Sequence, residues 1–342
     1  MSTFINRSRY LLTNNLDLIN LIFFKVIFSY LAFEFYKNFL GLSFFKYPDM
    51  EAYKDCIGDG AIMVNILYSQ FLCSIGLNYE EALSGYTLIF LACTINLLST
   101  CCFYLLFKNF LNKNGKILFI ILLACHPYLA IYFPRFYTDI YGSLGILLIC
   151  FYAVKNLKID YIFIICTIIL INFRSSLMPP LFLFIAYNFF LEIKKNKNID
   201  TLMIFGMAVI GLNFILYGTF VNTFLTVNNF YSNKAYNIIF LLGFREGAAN
   251  EGFGLFFNGS LSGYLQFFVS ITLLLMHSLG IYSIIRFVMN KKLYGIVLTL
   301  SIVIVPLITI SHLRYLLPLI PLILFGVSWH FFRKEPAKNF VS

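Results

Sequence analysis

GYTLIFLACTINLLSTCCFYLLF, Gly85–Phe107, is 23 residues without a charge, entered from Glu80 and Glu81 and left through Lys108. A helix of about 20 apolar residues crosses the hydrocarbon of a bilayer, so this stretch reads as a membrane span with acids at one end and a base at the other. Similar apolar runs lie on both sides of it. The first covers 17–36 and has Lys25 and Glu34 inside it; the later ones are 115–133, 138–154, 159–173, 176–191, 201–219, 263–285, 294–311 and 314–331. With 60% hydrophobic residues, 12% charged residues and a mean hydropathy of +0.84, the sequence predicts an all-α polytopic membrane protein. The expectation is a single domain over 1–342 with about ten transmembrane helices. No period-two alternation supports a membrane β-barrel, no repeat supports duplicated transporter halves, and the start reads as a span rather than a cleaved signal.

Two long connections interrupt the spans, 37–84 and 221–263. Within the first, 61–75 is apolar but short and is broken by Asn65, Ser69 and Gln70, which predicts an amphipathic helix lying at the interface. Cys56 and Cys73 share that loop and are the one pair placed for a disulfide if it faces an oxidising compartment. The other cysteines lie in or beside apolar runs, without metal-ligand spacing.

The net charge of +10 is that of a chain whose cytoplasmic loops are basic, so a nucleic-acid role is not needed to explain it. With the N-terminus inside, the inner segments collect sixteen of the 25 Lys and Arg residues and the outer ones eight. Every inner connection carries at least two. This predicts a multi-pass protein of a bacterial inner membrane with both termini cytoplasmic. Nine of the fifteen acids fall outside, which directs attention to the extracytoplasmic face.

Four of those acids, Asp49, Glu51, Asp55 and Asp59, crowd into KYPDMEAYKDCIGDG (Lys46–Gly60), just beyond the first span. Three outer connections are very short and each carries charge: FPRFYTD (Phe133–Asp139), FRSS (Phe173–Ser176) and SHLRY (Ser311–Tyr315). An ionisable group costs about 2.5–3.5 kcal/mol at a span centre and less near its ends, so those kept there face a cavity, pair, or bind something. Arg135 and Asp139 share a face if helical, being four apart. A carboxylate at the membrane edge suits a general base toward a hydroxyl, and arginines at the same depth suit a phosphate leaving group. Plainer roles stand beside these. Arg135 with Asp139 reads equally as a structural ion pair, Arg174 and Arg314 as snorkelling anchors, and His312 as a helix-end group. His126, before Pro127, reads as a helix kink, and His277 and His330 as incidental.

Taken together, these motifs resemble those of the integral-membrane glycosyltransferases of the GT-C class, which use polyprenyl-phosphate sugars. Asp49-Met50-Glu51 is similar to the acidic motif that follows the first span in that class, and the amphipathic 61–75 has a counterpart there. Phe136-Tyr137-Thr138-Asp139 resembles the YTD stretch of enzymes that elongate dolichol-linked oligosaccharide. His312-Leu313-Arg314-Tyr315, with Pro318 and Pro321, resembles the ending common near the last span. The resemblance implies an inverting transfer with Asp49 as base and Glu51 positioning the acceptor. It implies Arg314, with Arg135 or Arg174, on the donor phosphate, and Asp139, His312, Tyr315 and Arg245 in support. It implies a polyprenyl-phosphate sugar as donor substrate and a glycan or lipid acceptor, names no cofactor, and leaves divalent-metal dependence open. Ten spans is fewer than is usual in the class.

Two other readings remain. An O-antigen-type repeat-unit polymerase would join lipid-diphosphate-linked oligosaccharides, with the loop holding GFREGAANEG (Gly243–Gly252) as a flap in either enzyme. A lipid-glycan flippase or transporter would place its ionisable groups at mid-membrane.

Overall fold

The computed structural model describes residues 16–32, 34, 82–134, 139–196, 200–213, 261–303 and 313–334. Among these the fold is helical, with no strand beyond an isolated antiparallel bridge between Leu111 and Arg333. In chain order the helices are α1 (16–32), α2 (Ala82–Phe107), α3 (Lys113–Cys125), α4 (Pro127–Ile131), α5 (Asp139–Lys155), α6 (Tyr161–Phe173), α7 (Met178–Asn196), α8 (Thr201–Asn213), α9 (Leu261–Lys291) and α10 (Ile320–Phe332). Two 3₁₀ stretches, Tyr294–Val303 and Leu313–Leu319, lie between α9 and α10. Among the described residues two segments, Ile89–Phe110 and Ile271–Lys291, are long and apolar enough to cross a membrane.

Three expected spans come out differently. The run 115–133 is broken at His126, which is extended (φ −64°, ψ 121°), because a residue before proline is pushed out of the helical region. The break is fuller than a kink. Pro127 then opens α4 at a position where its missing N–H has no intrahelical partner to lose. The run 314–331 begins as 3₁₀ helix containing Pro318 and becomes α-helical at Ile320. The described part of 294–311 is 3₁₀ as well.

The tightest packing joins α9 to α10. A Cβ on Gly326 would sit 2.3 Å from the Gly280 carbonyl oxygen, and one on Gly280 would sit 2.5 Å from that of Ile323. Small residues let helix backbones approach in this way when lipid supplies no hydrophobic drive between helices. Around the crossing Phe107 lies 4.4 Å from Phe325, and Phe287 4.9 Å from Phe325, centroid to centroid. Asp17 accepts a 3.0 Å hydrogen bond from the Tyr104 hydroxyl, tying α1 to α2.

The exterior is apolar too. Phe90, Tyr161, Phe190, Phe268 and Leu275 are all more than three-fifths exposed. Soluble monomers do not display aromatic surface on helix after helix; hydrocarbon accepts it, since each helix satisfies its own backbone.

The α5–α6 turn carries a local test. Asn156 takes the left-handed conformation (φ 50°) that ends helices, and Leu157 N–H reaches back to the Tyr152 carbonyl at 3.0 Å. Asp160 then caps α6, accepting from Phe163 N–H at 2.9 Å and from the Tyr152 hydroxyl at 2.7 Å. The Phe163 N–H, and next the Tyr152 hydroxyl, hold this carboxyl below the usual carboxylate range. A carboxyl lowered by folding adds stability above its unfolded pKa, and that stability is lost as pH falls through the folded value. Asp160→Asn keeps the cap but removes the charge, so its unfolding midpoint in detergent should change less between pH 7 and pH 3 than the parent's. Asp160→Ala should cost about 1 kcal/mol at neutral pH.

Candidate functional site

Of the predicted site residues, Arg174 has its side chain in view. α6 stops at Phe173 because Arg174 is extended (φ −145°, ψ 98°). The chain turns through Ser175–Leu177 and re-enters helix at Met178, with Pro179 and Pro180 in the first turn, where proline is tolerated. Arg174 is 7% exposed and its Nε donates to Ser176 Oγ at 2.9 Å. A guanidinium keeps its charge under any condition a protein survives, so this turn buries a permanent cation.

One other predicted segment, the start of α5, meets that turn. The Tyr141 ring stacks on Phe173 at 4.8 Å, and a Cβ on Gly145 would lie 2.6 Å from Leu177. The start of α5, which opens with Asp139, therefore packs on the Arg174 turn. Three residues before Gly145 on the same face, a Cβ on Gly142 would come within 2.5 Å of Pro318 Cγ, which brings the Leu313–Leu319 segment against the same helix. The Arg174 turn and the Leu313–Leu319 segment thus both pack on the first two turns of α5. For Asp139, Arg314 and Tyr315 only the backbone is described. Asp49, Glu51, Arg135, Arg245 and His312, the helix expected over 61–75 and the Cys56–Cys73 pairing lie outside the described residues.

Compared with protein-family models, curated proteins and solved structures, the chain matches none of them. The assignment of chemistry rests on the residues themselves.

A second polar cluster gathers His126, expected only at a kink, and His277, expected to be incidental. His126 Nε2 and His277 Nε2 are 3.0 Å apart, and both rings are buried. Leu129 N–H points at His126 Nδ1 from 3.5 Å, so a neutral His126 carries its proton on Nε2 and donates it to His277, whose own proton is then on Nδ1. Lys25, 1% exposed, sits over the Phe133 ring at 5.5 Å and has no hydrogen-bond partner for Nζ among the described residues. Asn96 Nδ2 donates to the Phe133 carbonyl at 3.0 Å and so fixes the chain just after α4. His277 is not incidental: near the middle of α9, it closes a buried histidine pair made possible by the break at Pro127. The signal available in the sequence was an ionisable residue in the middle of each of three apolar runs, Lys25, His126 and His277. Groups so placed are functional candidates by default.

Among the described residues no cluster of three or more His, Cys, Asp or Glu is set to hold a metal, and the six described cysteines are free thiols.

Proposed function

We propose that this chain is a GT-C-like glycosyltransferase. It would cross a bacterial inner membrane about ten times, with both termini cytoplasmic, and act at the outer face in envelope polysaccharide or lipid-glycan assembly. One observation supports this above the rest: a buried arginine, Arg174, at a helix break that packs on the start of α5, the helix against which the Leu313–Leu319 segment also lies. Bidentate, charge-assisted hydrogen bonds from such a group suit a phosphate whose lipid tail lies between helices.

In the reaction Asp49 takes the proton of an acceptor hydroxyl. The freed oxygen attacks the anomeric carbon of the sugar from the face opposite the phosphate. The bond from that carbon to the phosphate oxygen breaks, its electron pair staying on the phosphate, where Arg174 and Arg314, with Arg135, offset the new charge. Glu51 orients the acceptor.

Transfer of labelled sugar from a polyprenyl monophosphate donor, with the purified protein in bilayers, tests the reading. Arg174→Gln should lower turnover of the donor roughly 10–100-fold, the value of one hydrogen bond to a charged group, and Arg174→Lys should recover part of it. Turnover only of lipid-diphosphate oligosaccharide would replace this reading with the repeat-unit polymerase.

A flippase or transporter is the second reading, favoured by the Lys25–His126–His277 cluster, because transport sites gather ionisable groups at mid-membrane. Movement of a labelled lipid-linked sugar across sealed vesicles without transfer, abolished by Lys25→Met, would put it first.

A further inference from the structure

The end of the bundle opposite Arg174, where α10 finishes, holds a cleft of about 650 Å³. Its walls carry Arg286, His330, Arg333 and Lys334, and no carboxylate lines it among the described residues. The chain is pinned there. Asn112 N–H donates to the Phe332 carbonyl at 3.1 Å and Lys334 N–H to that of Phe110 at 3.0 Å, on either side of the Leu111–Arg333 bridge. Asn112 also caps α3 through Gly115 N–H, and Gly115 lies so close to Phe332 that a Cβ would be 2.8 Å from its carbonyl oxygen. Across from this clamp the Arg286 guanidinium lies over the Tyr282 ring at 5.7 Å and within 3.4 Å of its hydroxyl. The Ser283 hydroxyl gives its hydrogen to the Leu279 carbonyl, so its 3.1 Å contact with His330 Nδ1 is a bond donated by the imidazole, which holds that ring in place.

We propose that this cleft binds the phosphate headgroup of an anionic phospholipid. Three cations gathered in one cleft, with no counter-ion among the described residues that line it, select a phosphate over a neutral headgroup. The apolar part of the wall selects a lipid over a free anion: Trp329 and Phe331 line the same cleft, and Phe331 is 58% exposed, beside the charges rather than beneath them. Arg286 lies five residues before the end of α9, about 7 Å along the axis.

The full chain is purified in mild detergent and reloaded with phosphatidylglycerol, phosphatidylcholine or inorganic phosphate, and bound species are counted by native mass spectrometry. Phosphatidylglycerol should be retained at least tenfold over phosphatidylcholine. Arg286→Gln with Lys334→Gln should remove most of that preference, while Lys194→Gln with Lys195→Gln, exposed on α7 outside the cleft, should leave it intact. Arg286→Lys keeps the charge and reports on folding: it should hold lipid better than the glutamine variant. Equal loss in the α7 variant would mean a diffuse basic surface and overturn the site. Displacement of the lipid by millimolar inorganic phosphate would reduce it to a small-anion site and overturn the headgroup assignment, as would the absence of any preference.

Discussion

Asp49→Asn should lower sugar transfer by roughly 10²–10⁴-fold, the range lost when a general base is removed, while the protein still inserts and folds. Asparagine is nearly isosteric with aspartate and hydrogen-bonds in its place, but it takes no proton from a hydroxyl at neutral pH. The loss should lie in kcat rather than in the KM for donor, since a base acts in the transition state. Glu51→Gln is the useful companion. If Glu51 only orients the acceptor, its loss should be smaller and should appear largely in the KM for acceptor. An Asp49→Asn protein with parental activity would remove the base assignment and leave Glu51 as the carboxylate to examine.

The largest effect on stability is expected at the α9–α10 crossing. Gly326→Ala places a methyl 2.3 Å from the Gly280 carbonyl oxygen, far inside van der Waals contact. That neighbour is backbone, so no side chain can swing aside and the helices must separate. Overpacking usually costs 1–3 kcal/mol; with the Phe107–Phe287–Phe325 cluster built on this crossing, about 3 kcal/mol or more is expected. Gly326→Val should not yield a monodisperse protein. The control is Gly211→Ala on α8, where a Cβ would meet nothing within 4 Å. There the reduced freedom of the unfolded chain should stabilise by about 0.4–1 kcal/mol. Thermal unfolding in detergent, followed by light scattering, compares the three. Equal midpoints for Gly326→Ala and Gly211→Ala would show that the two helices do not meet this closely.

Arg174 was readable in the sequence because it is a charge in a four-residue connection between two apolar runs, a place where cost alone demands a reason. Its burial was not readable. That depends on Tyr141 covering Phe173 and on Leu177 filling the space beside Gly145, contacts between helices whose order along the chain does not state their order in space. The histidine pair was further from view. His126 and His277 are 151 residues apart, and each alone looks like a polar residue tolerated within a span. The basic cleft had the same difficulty, since Arg286, Arg333 and Lys334 read individually as residues that hold loops on one side of a membrane.

The sequence by itself determined that the described residues are helical and apolar and which short connections carry charge. These follow from local causes: the length of apolar runs, proline at a helix start, and the cost of a charge in hydrocarbon. Tertiary structure alone decided which charges meet. Helices in lipid are sorted by the fit of small residues such as Gly280 and Gly326 and by hydrogen bonds such as that between His126 and His277. Those are pairwise terms between distant segments, and no periodicity along one segment records them.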